Sequence, residues 1–397
     1  MIFDEVLEAK PDPIFGLTGS FKADVRENKV NLLVGIYKDE KLRSPLLPSV
    51  EKARELVGRQ EEVADYLPFE GLSGFVDEIG KVIFGQGWDQ EHSRIFGAQA
   101  VGGTGALRLG AEFLAQEVSK RVSISHPTWP NHRGVFERAG FSVDSYTYYS
   151  SEKKWFDLEG MCKSLETLEE KSIVVLHAAC HNPTGCDPSR EEWEQISDLM
   201  LRRGLVPFFD FAYQGFGLGV DEDAYPVRLF YERGHEMLVA YSCSKNFSLY
   251  NQRVGALYVV TPDPVVKMRV GSQVKRCIRT LYSNPPAYGA RLVWEVLKNS
   301  TLKKEWEGDL KAIRSRLSSA REQLVSGLTS QAKRKDFHYL RNHKGMFSFV
   351  DLDKSQAQQL IDEYAIYLID NGRISIAGLT SENIDYVVRA ILAVSDR

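Results

Sequence analysis

Ser242-Cys243-Ser244-Lys245-Asn246-Phe247 is a polar turn between two apolar runs, Met237-Leu238-Val239-Ala240-Tyr241 before it and Val254–Val260 after it. Short apolar runs bounded by turn residues predict buried strands. A lysine held between two such strands carries an ammonium that is costly to desolvate. It tends to give up its proton and act as a nucleophile or covalent anchor. For Lys245 alone, a surface turn is the simpler reading. Its neighbours argue against that: Arg253 follows in Tyr250-Asn251-Gln252-Arg253-Val254-Gly255, and Phe209-Asp210-Phe211-Ala212-Tyr213 ends the strand-like run before it.

Outward from that turn, strand-like and helix-like stretches alternate. Strands are predicted at 122–125, 172–176 and 205–209, with helical patterns at Leu72, Phe75, Ile79, Val82 and Ile83 and over 191–201. This alternation predicts βαβ units, a mostly parallel sheet and an α/β class. Near the N-terminus, Pro11-Asp12-Pro13 reads as an extended or turn element, and 30–35 as a strand ending at Gly35. After Pro286 helical patterns run to about Val325, with Gly308 as a bend or boundary. Short strands at 346–352, 367–369 and 373–377 around a helix at 356–364 form a separate α+β unit, which N-terminal residues could complete.

Bulk properties narrow the function classes. The 397 residues are 43% hydrophobic and 26% charged, ordinary for a globular protein with ample core. A net charge of −4 and a pI near 6.1 give no electrostatic footprint for nucleic acid or an anionic membrane. Five cysteines, with no C-x-x-C pair, predict neither a disulfide framework nor a metal site. The acidic start Met1-Ile2-Phe3-Asp4-Glu5-Val6 lacks a signal pattern, and no apolar run approaches the roughly 20 residues that span a bilayer. A cytoplasmic protein is expected, with neither a nucleic-acid nor a membrane partner.

Several further stretches carry candidate chemistry. Gly102-Gly103-Thr104-Gly105-Ala106-Leu107-Arg108 joins a strand-like run to a helix pattern, where backbone amides and the helix N-terminus suit a phosphate. A glycine-rich turn without ligand fits it equally, and the Walker A ending is missing. His126-Pro127-Thr128-Trp129-Pro130-Asn131-His132 follows a buried strand, where a lone tryptophan would more often be core. Cys180-His181-Asn182-Pro183-Thr184-Gly185 is a tight turn, at the strand end where open α/β sheets bind ligands. Asp210 follows four apolar residues and must be paired if buried; the start of a helix would satisfy it. Arg279 in Cys277-Ile278-Arg279-Thr280-Leu281 and Arg373 in Asn371-Gly372-Arg373-Ile374-Ser375 sit in apolar contexts, and two guanidinium forks suit a substrate with two carboxylates.

Met in this order from about Pro13 to about Ala393, these motifs resemble those of class I aminotransferases dependent on pyridoxal 5'-phosphate (PLP), in the aspartate and aromatic-amino-acid subgroup. The resemblance implies the PLP-dependent transferase fold type I, with a large domain at 45–312 and a small domain from 1–44 and 313–397. It implies Lys245 as the covalent anchor of PLP and general base, Asp210 at the pyridine nitrogen, and Trp129 stacked on the ring. Asn182 and Tyr213 would reach the phenolic oxygen. Gly103, Thr104, Ser242, Arg253 and Tyr66 would complete the cofactor site. The substrate would be held by Gly35, Trp129, Asn182, Arg279 at the distal carboxylate and Arg373 at the α-carboxylate, with His132 and His177 supporting Asp210. Gln252 departs from the glutamate that many members carry there. A homodimer with shared active sites is implied. The expected reaction is amino transfer between L-aspartate and 2-oxoglutarate, giving oxaloacetate and L-glutamate. An aromatic-amino-acid aminotransferase of the same subgroup is the alternative, and a catalytically inactive PLP-binding regulatory protein the remote one.

Overall fold

A computed structural model describes residues 1–8, 13–60, 64–332 and 336–395, so Pro11 and Asp12 of the expected opening turn lie outside the described residues. The chain forms two compact units. The larger is Ser44–Ser318 with Asn342–Gly345; the smaller is Met1–Arg43, Ser319–Arg341 and Met346–Arg397.

Seven strands form the sheet of the larger unit: β1 (Ile95–Val101), β2 (Arg121–His126), β3 (Ser142–Thr147), β4 (Ile173–His177), β5 (Val206–Phe211), β6 (Met237–Ser242) and β7 (Val254–Val260). Their order is β1-β7-β6-β5-β4-β2-β3. Strand β7 runs antiparallel to both β1 and β6, and the remaining pairs are parallel. Every residue of β4, β6 and β7 is buried. That explains why they read as unbroken apolar runs rather than alternating ones. Phe113, Phe136, Phe208, Leu238 and Leu257 contribute to the core on one face. Five of the motif-bearing stretches lie at one edge of this sheet. Val101, His126, His177, Phe211 and Ser242 each end a strand there, and the next residues begin the stretches singled out above. This is the carboxyl edge where open α/β sheets hold ligands.

In the smaller unit, Val30–Asn31 pairs in parallel with Ile366–Tyr367, and Phe347–Phe349 pairs antiparallel with Arg373–Ser375. The expected strand at 30–35 is therefore only two residues long. The Asn31 side chain accepts from the Leu33 amide at 3.0 Å, a local turn that stops the ladder. Pro13 opens a helix, Pro13–Ala23, at the position where a missing N–H costs nothing. Gly308 is no boundary: it lies on the exposed side of the helix Ser300–Gln331. The break comes at Asn299, whose side chain accepts from the amides of Thr301 and Leu302 at 3.0 and 3.2 Å and caps the next helix.

Candidate active site

Lys245 sits half-buried in the turn between β6 and β7, its Nζ 5.1 Å from the centroid of the Tyr213 ring. Burial pushes its ammonium below the usual lysine value; Asp210 pulls the other way and Arg253 adds repulsion. Asp210 lies within β5, followed by Phe211, so it is not a helix cap. Burial alone would raise its carboxyl. The hydrogen bond and charge of His132, helped by Lys245, outweigh that and hold it below the ordinary carboxylate range. The contact is His132 Nε2 to Asp210 Oδ2 at 3.0 Å.

Behind that pair runs a string of buried imidazoles. His132 Nδ1 is 2.8 Å from Thr128 Oγ1, which is 3.2 Å from His177 Nε2. The His177 ring lies 4.2 Å from that of His181, which stacks on Tyr148 at 3.8 Å. Burial pushes both His177 and His181 well below the usual histidine value, so each is neutral at neutral pH. Trp129 is half-buried, its ring edge-on to His132 at 5.4 Å. Asn182 is 4% exposed, in the loop after β4.

Gly102 to Glu117 form a helix of 16 residues whose first turn faces the Lys245 loop. A Cβ on Gly102 would stand 2.5 Å from Arg253 Nη2, and one on Gly103 would stand 2.8 Å from Ser242 Cβ. Gly102 has φ +71°, natural for glycine. Arg253, at φ +54°, donates from Nη1 to Ser244 Oγ at 3.2 Å and to the Tyr250 carbonyl at 2.9 Å. Helix amides, two serine hydroxyls and a guanidinium thus converge around Gly103 and Thr104.

Arg373 and Gly35 belong to the smaller unit and meet on one ring. Arg373 is 2% exposed, donates to the Leu33 carbonyl, and lies 4.4 Å from the Phe347 centroid. A Cβ on Gly35 would come within 2.9 Å of Phe347 Cζ, so a bare backbone is needed there. Arg279 differs from its expected apolar setting. It projects from the exposed face of the helix Pro264–Leu281, donating to Ser283 Oγ, because only Cys277 and Ile278 of its neighbours turn inward. Phe69 lies 5.8 Å from its guanidinium, and Asn284 Nδ2 donates to the Leu67 carbonyl at 2.6 Å. These contacts bring Arg279 close to the loop of Tyr66, which is 92% exposed.

Residues 27–391 match the model of the family described as aminotransferase class I and II. The chain belongs to this family. The aminotransferase is 42% identical to the aspartate aminotransferase of Escherichia coli over 395 residues, covering 99% of this chain and 100% of the relative. An aromatic-amino-acid aminotransferase from Burkholderia pseudomallei, covalently bound to pyridoxal phosphate, superposes with a TM-score of 0.96 at 41% identity and covers 99% of each chain. A psychrophilic aromatic amino acids aminotransferase from Psychrobacter, cocrystallised with aspartic acid, gives 0.97 at 38% identity over 100% of each chain.

The donor set of this aminotransferase fits a phosphorylated pyridine aldehyde. Helix amides, hydroxyls and Arg253 suit its phosphate, an ionised Asp210 its ring nitrogen, and a deprotonation-prone Lys245 its aldehyde. Sequence reasoning gave no role to Thr128, Ser244 or His181. Thr128 bridges two histidines and Ser244 receives Arg253, signals that spacing alone does not carry.

Proposed function

We propose that the protein is an aspartate aminotransferase, interconverting L-aspartate and 2-oxoglutarate with oxaloacetate and L-glutamate. The carrying observation is Lys245, its ammonium pushed down by burial while Asp210 is kept ionised by His132. Gly103, Thr104, Ser242 and Arg253 would hold the phosphate of PLP, Trp129 its ring face, and Asn182 and Tyr213 its phenolic oxygen. Bound there, PLP supplies an electron sink for the bond broken at the substrate Cα. Nζ of Lys245, as a free amine, would take the Cα proton of the substrate and return it to the carbon that carries the cofactor's aldehyde. Asp210 holds the ring-nitrogen proton, and His132 and His177 keep Asp210 in place. Arg373, with Gly35 beside it, takes the α-carboxylate, and Arg279 the distal one. The large domain at 45–312 and the small domain from both termini remain part of this reading.

Several observations support a homodimer with shared sites. Tyr66 and Arg279 are both exposed, Arg279 lies beside Phe69 from the loop of Tyr66, and a two-fold pair makes such a loan reciprocal. A cytoplasmic setting suits five free cysteines. No helix of the described residues is long and apolar enough to cross a membrane. The aromatic neighbours favour a second reading, an enzyme that also accepts aromatic amino acids. The presence of Lys245, Asp210 and Arg373 in the sequence speaks against an inactive regulatory protein. The ratio of kcat/KM for aspartate to that for phenylalanine and tyrosine tests the assignment. A ratio above one is expected, and one well below it would make the aromatic reading the correct one.

A further inference from the structure

Two further aspartates hold loops rather than reacting groups. Asp187 accepts from two consecutive amides, Cys180 N at 2.8 Å and His181 N at 2.9 Å, on the loop that carries Asn182. Asp223 accepts from three: Gly215 N and Gly217 N, both at 2.9 Å, and Leu218 N at 2.8 Å, on the loop that leaves Tyr213. Cys180 sits at φ +55°, a conformation that is unfavourable for a residue with a side chain. Successive amides around such a residue form a concavity that attracts an anion, and the Asp187 carboxylate fills it. The same loop is tied further by the Lys344 amide, which donates to the Gly185 carbonyl at 2.7 Å.

The two loops also touch. A Cβ on Gly217 would stand 3.2 Å from Cys180 Sγ and 2.6 Å from Asp223 Oδ1. Both carboxyls are pushed up by burial, Asp223 to about 6, where the charge of Asp187 adds to the cost. A carboxylate held charged at an electrostatic cost has a geometric reason to be there.

We propose that Asp187 and Asp223 are positioning residues for Asn182 and Tyr213, each carboxylate fixing the loop that presents one donor to the cofactor's phenolic oxygen. The Cys180 side chain lies against the backbone of Gly217, so the two loops run side by side. This rests on the assignment of Asn182 and Tyr213 to that oxygen. Donors to the oxygen stabilise its anionic form and weaken its hold on a neighbouring proton. Loosened loops therefore raise the pH at which the bound cofactor changes colour.

The experiment titrates the absorbance of bound PLP in the wild type, Asn182→Ala, Tyr213→Phe, Asp187→Asn and Asp223→Asn. It also measures hydrogen exchange in the cofactor-free proteins. Both Asn variants should raise the colour midpoint by about half a pH unit, the size of one weakened hydrogen bond. Combining Asp187→Asn with Asn182→Ala should add nothing to the shift of Asn182→Ala alone. Without cofactor, exchange should quicken over 178–187 and 213–223 and not in β6 or β7. If Asn182→Ala and Tyr213→Phe leave the midpoint unmoved, the phenolic-oxygen assignment fails. If they move it and the aspartate variants do not, or the shifts simply add, the positioning role fails alone. Should an Asn variant not fold, Asp187→Glu and Asp223→Glu keep the charge on a longer stem, and a wild-type midpoint in either would overturn the role.

Discussion

Nε2 of His132 lies 3.0 Å from Oδ2 of Asp210, and this contact keeps a deeply buried carboxylate ionised. An ionised Asp210 can hold a proton on a facing ring nitrogen; a protonated one cannot. Asp210→Ala should therefore bind PLP somewhat more weakly and lose about 10²–10³ in kcat, as for other preorganised electrostatic partners. Steady-state kinetics of the folded variant is the check. A near-normal kcat would reduce Asp210 to a packing residue.

Lys245→Ala should retain PLP or its amine form without turning over. The protein should be yellow when purified, and reduction with borohydride should fix the cofactor on Lys245. Peptide mapping after reduction decides this. A label on any other lysine would remove Lys245 from its role.

Arg279 and Arg373 should fail in different ways. Arg373→Ala should damage turnover of every amino acid, whereas Arg279→Ala should damage dicarboxylic substrates selectively. Losing one charged partner of a desolvated pair costs about 2–5 kcal/mol. Equal loss of kcat/KM for aspartate and phenylalanine in Arg279→Ala would show that the two arginines do not divide the carboxylates between them.

Asp223 gives a pH signature in the cofactor-free protein. Its carboxyl is raised by burial from 3.8 to about 6 on folding. Between those values the folded chain keeps a proton that the unfolded chain has lost. The contribution of Asp223 therefore favours folding at low pH, falls as pH rises through this window, and is fully lost above about 6. The stability of the wild type relative to Asp223→Asn should drop by roughly 2.5 kcal/mol from about pH 4 to about pH 7. Urea unfolding of both proteins measures it, and a constant difference would mean that the carboxyl is not raised.

The architecture was legible where burial is complete. Strands β4, β6 and β7 read as unbroken apolar runs because both faces are covered, and the turns that follow β4 and β6 stood out against them. Legibility failed where side chains replace backbone pairing. The Asn31 side chain ends its strand by accepting from the Leu33 amide, and Asn299, not Gly308, breaks the helical run by capping. In the candidate site, Lys245, Asp210 and Arg253 stood out through the resemblance that their flanking motifs carry, not through their own spacing. Asp187 and Asp223 did not, because their partners are backbone amides that only the folded loops bring together. The exposure of Arg279 was hidden for a related reason: apolar neighbours along a chain need not share a helix face.

That exposure leads to the last expectation. Tyr66, on a loop, and Arg279, near the end of the helix Pro264–Leu281, are both exposed in a single chain, a poor setting for gripping a carboxylate unless a second chain closes over them. In a two-fold dimer each chain would lend both residues and borrow both, while Lys245, Asp210 and Arg373 serve their own chain. Lys245→Ala and Arg279→Ala homodimers should each be nearly inactive toward aspartate. Mixed under conditions of subunit exchange, they form hybrids with one doubly damaged site and one intact site. Half of the exchanged dimers are hybrids at equal mixing, and each has one of its two sites whole. Aspartate activity should then rise to about a quarter of the wild-type value per site, by random pairing of two equal pools. Native mass spectrometry establishes the exchange, and the coupled assay reads the activity. Demonstrated exchange with no recovered activity would place Arg279 in its own chain's site and end the shared-site reading.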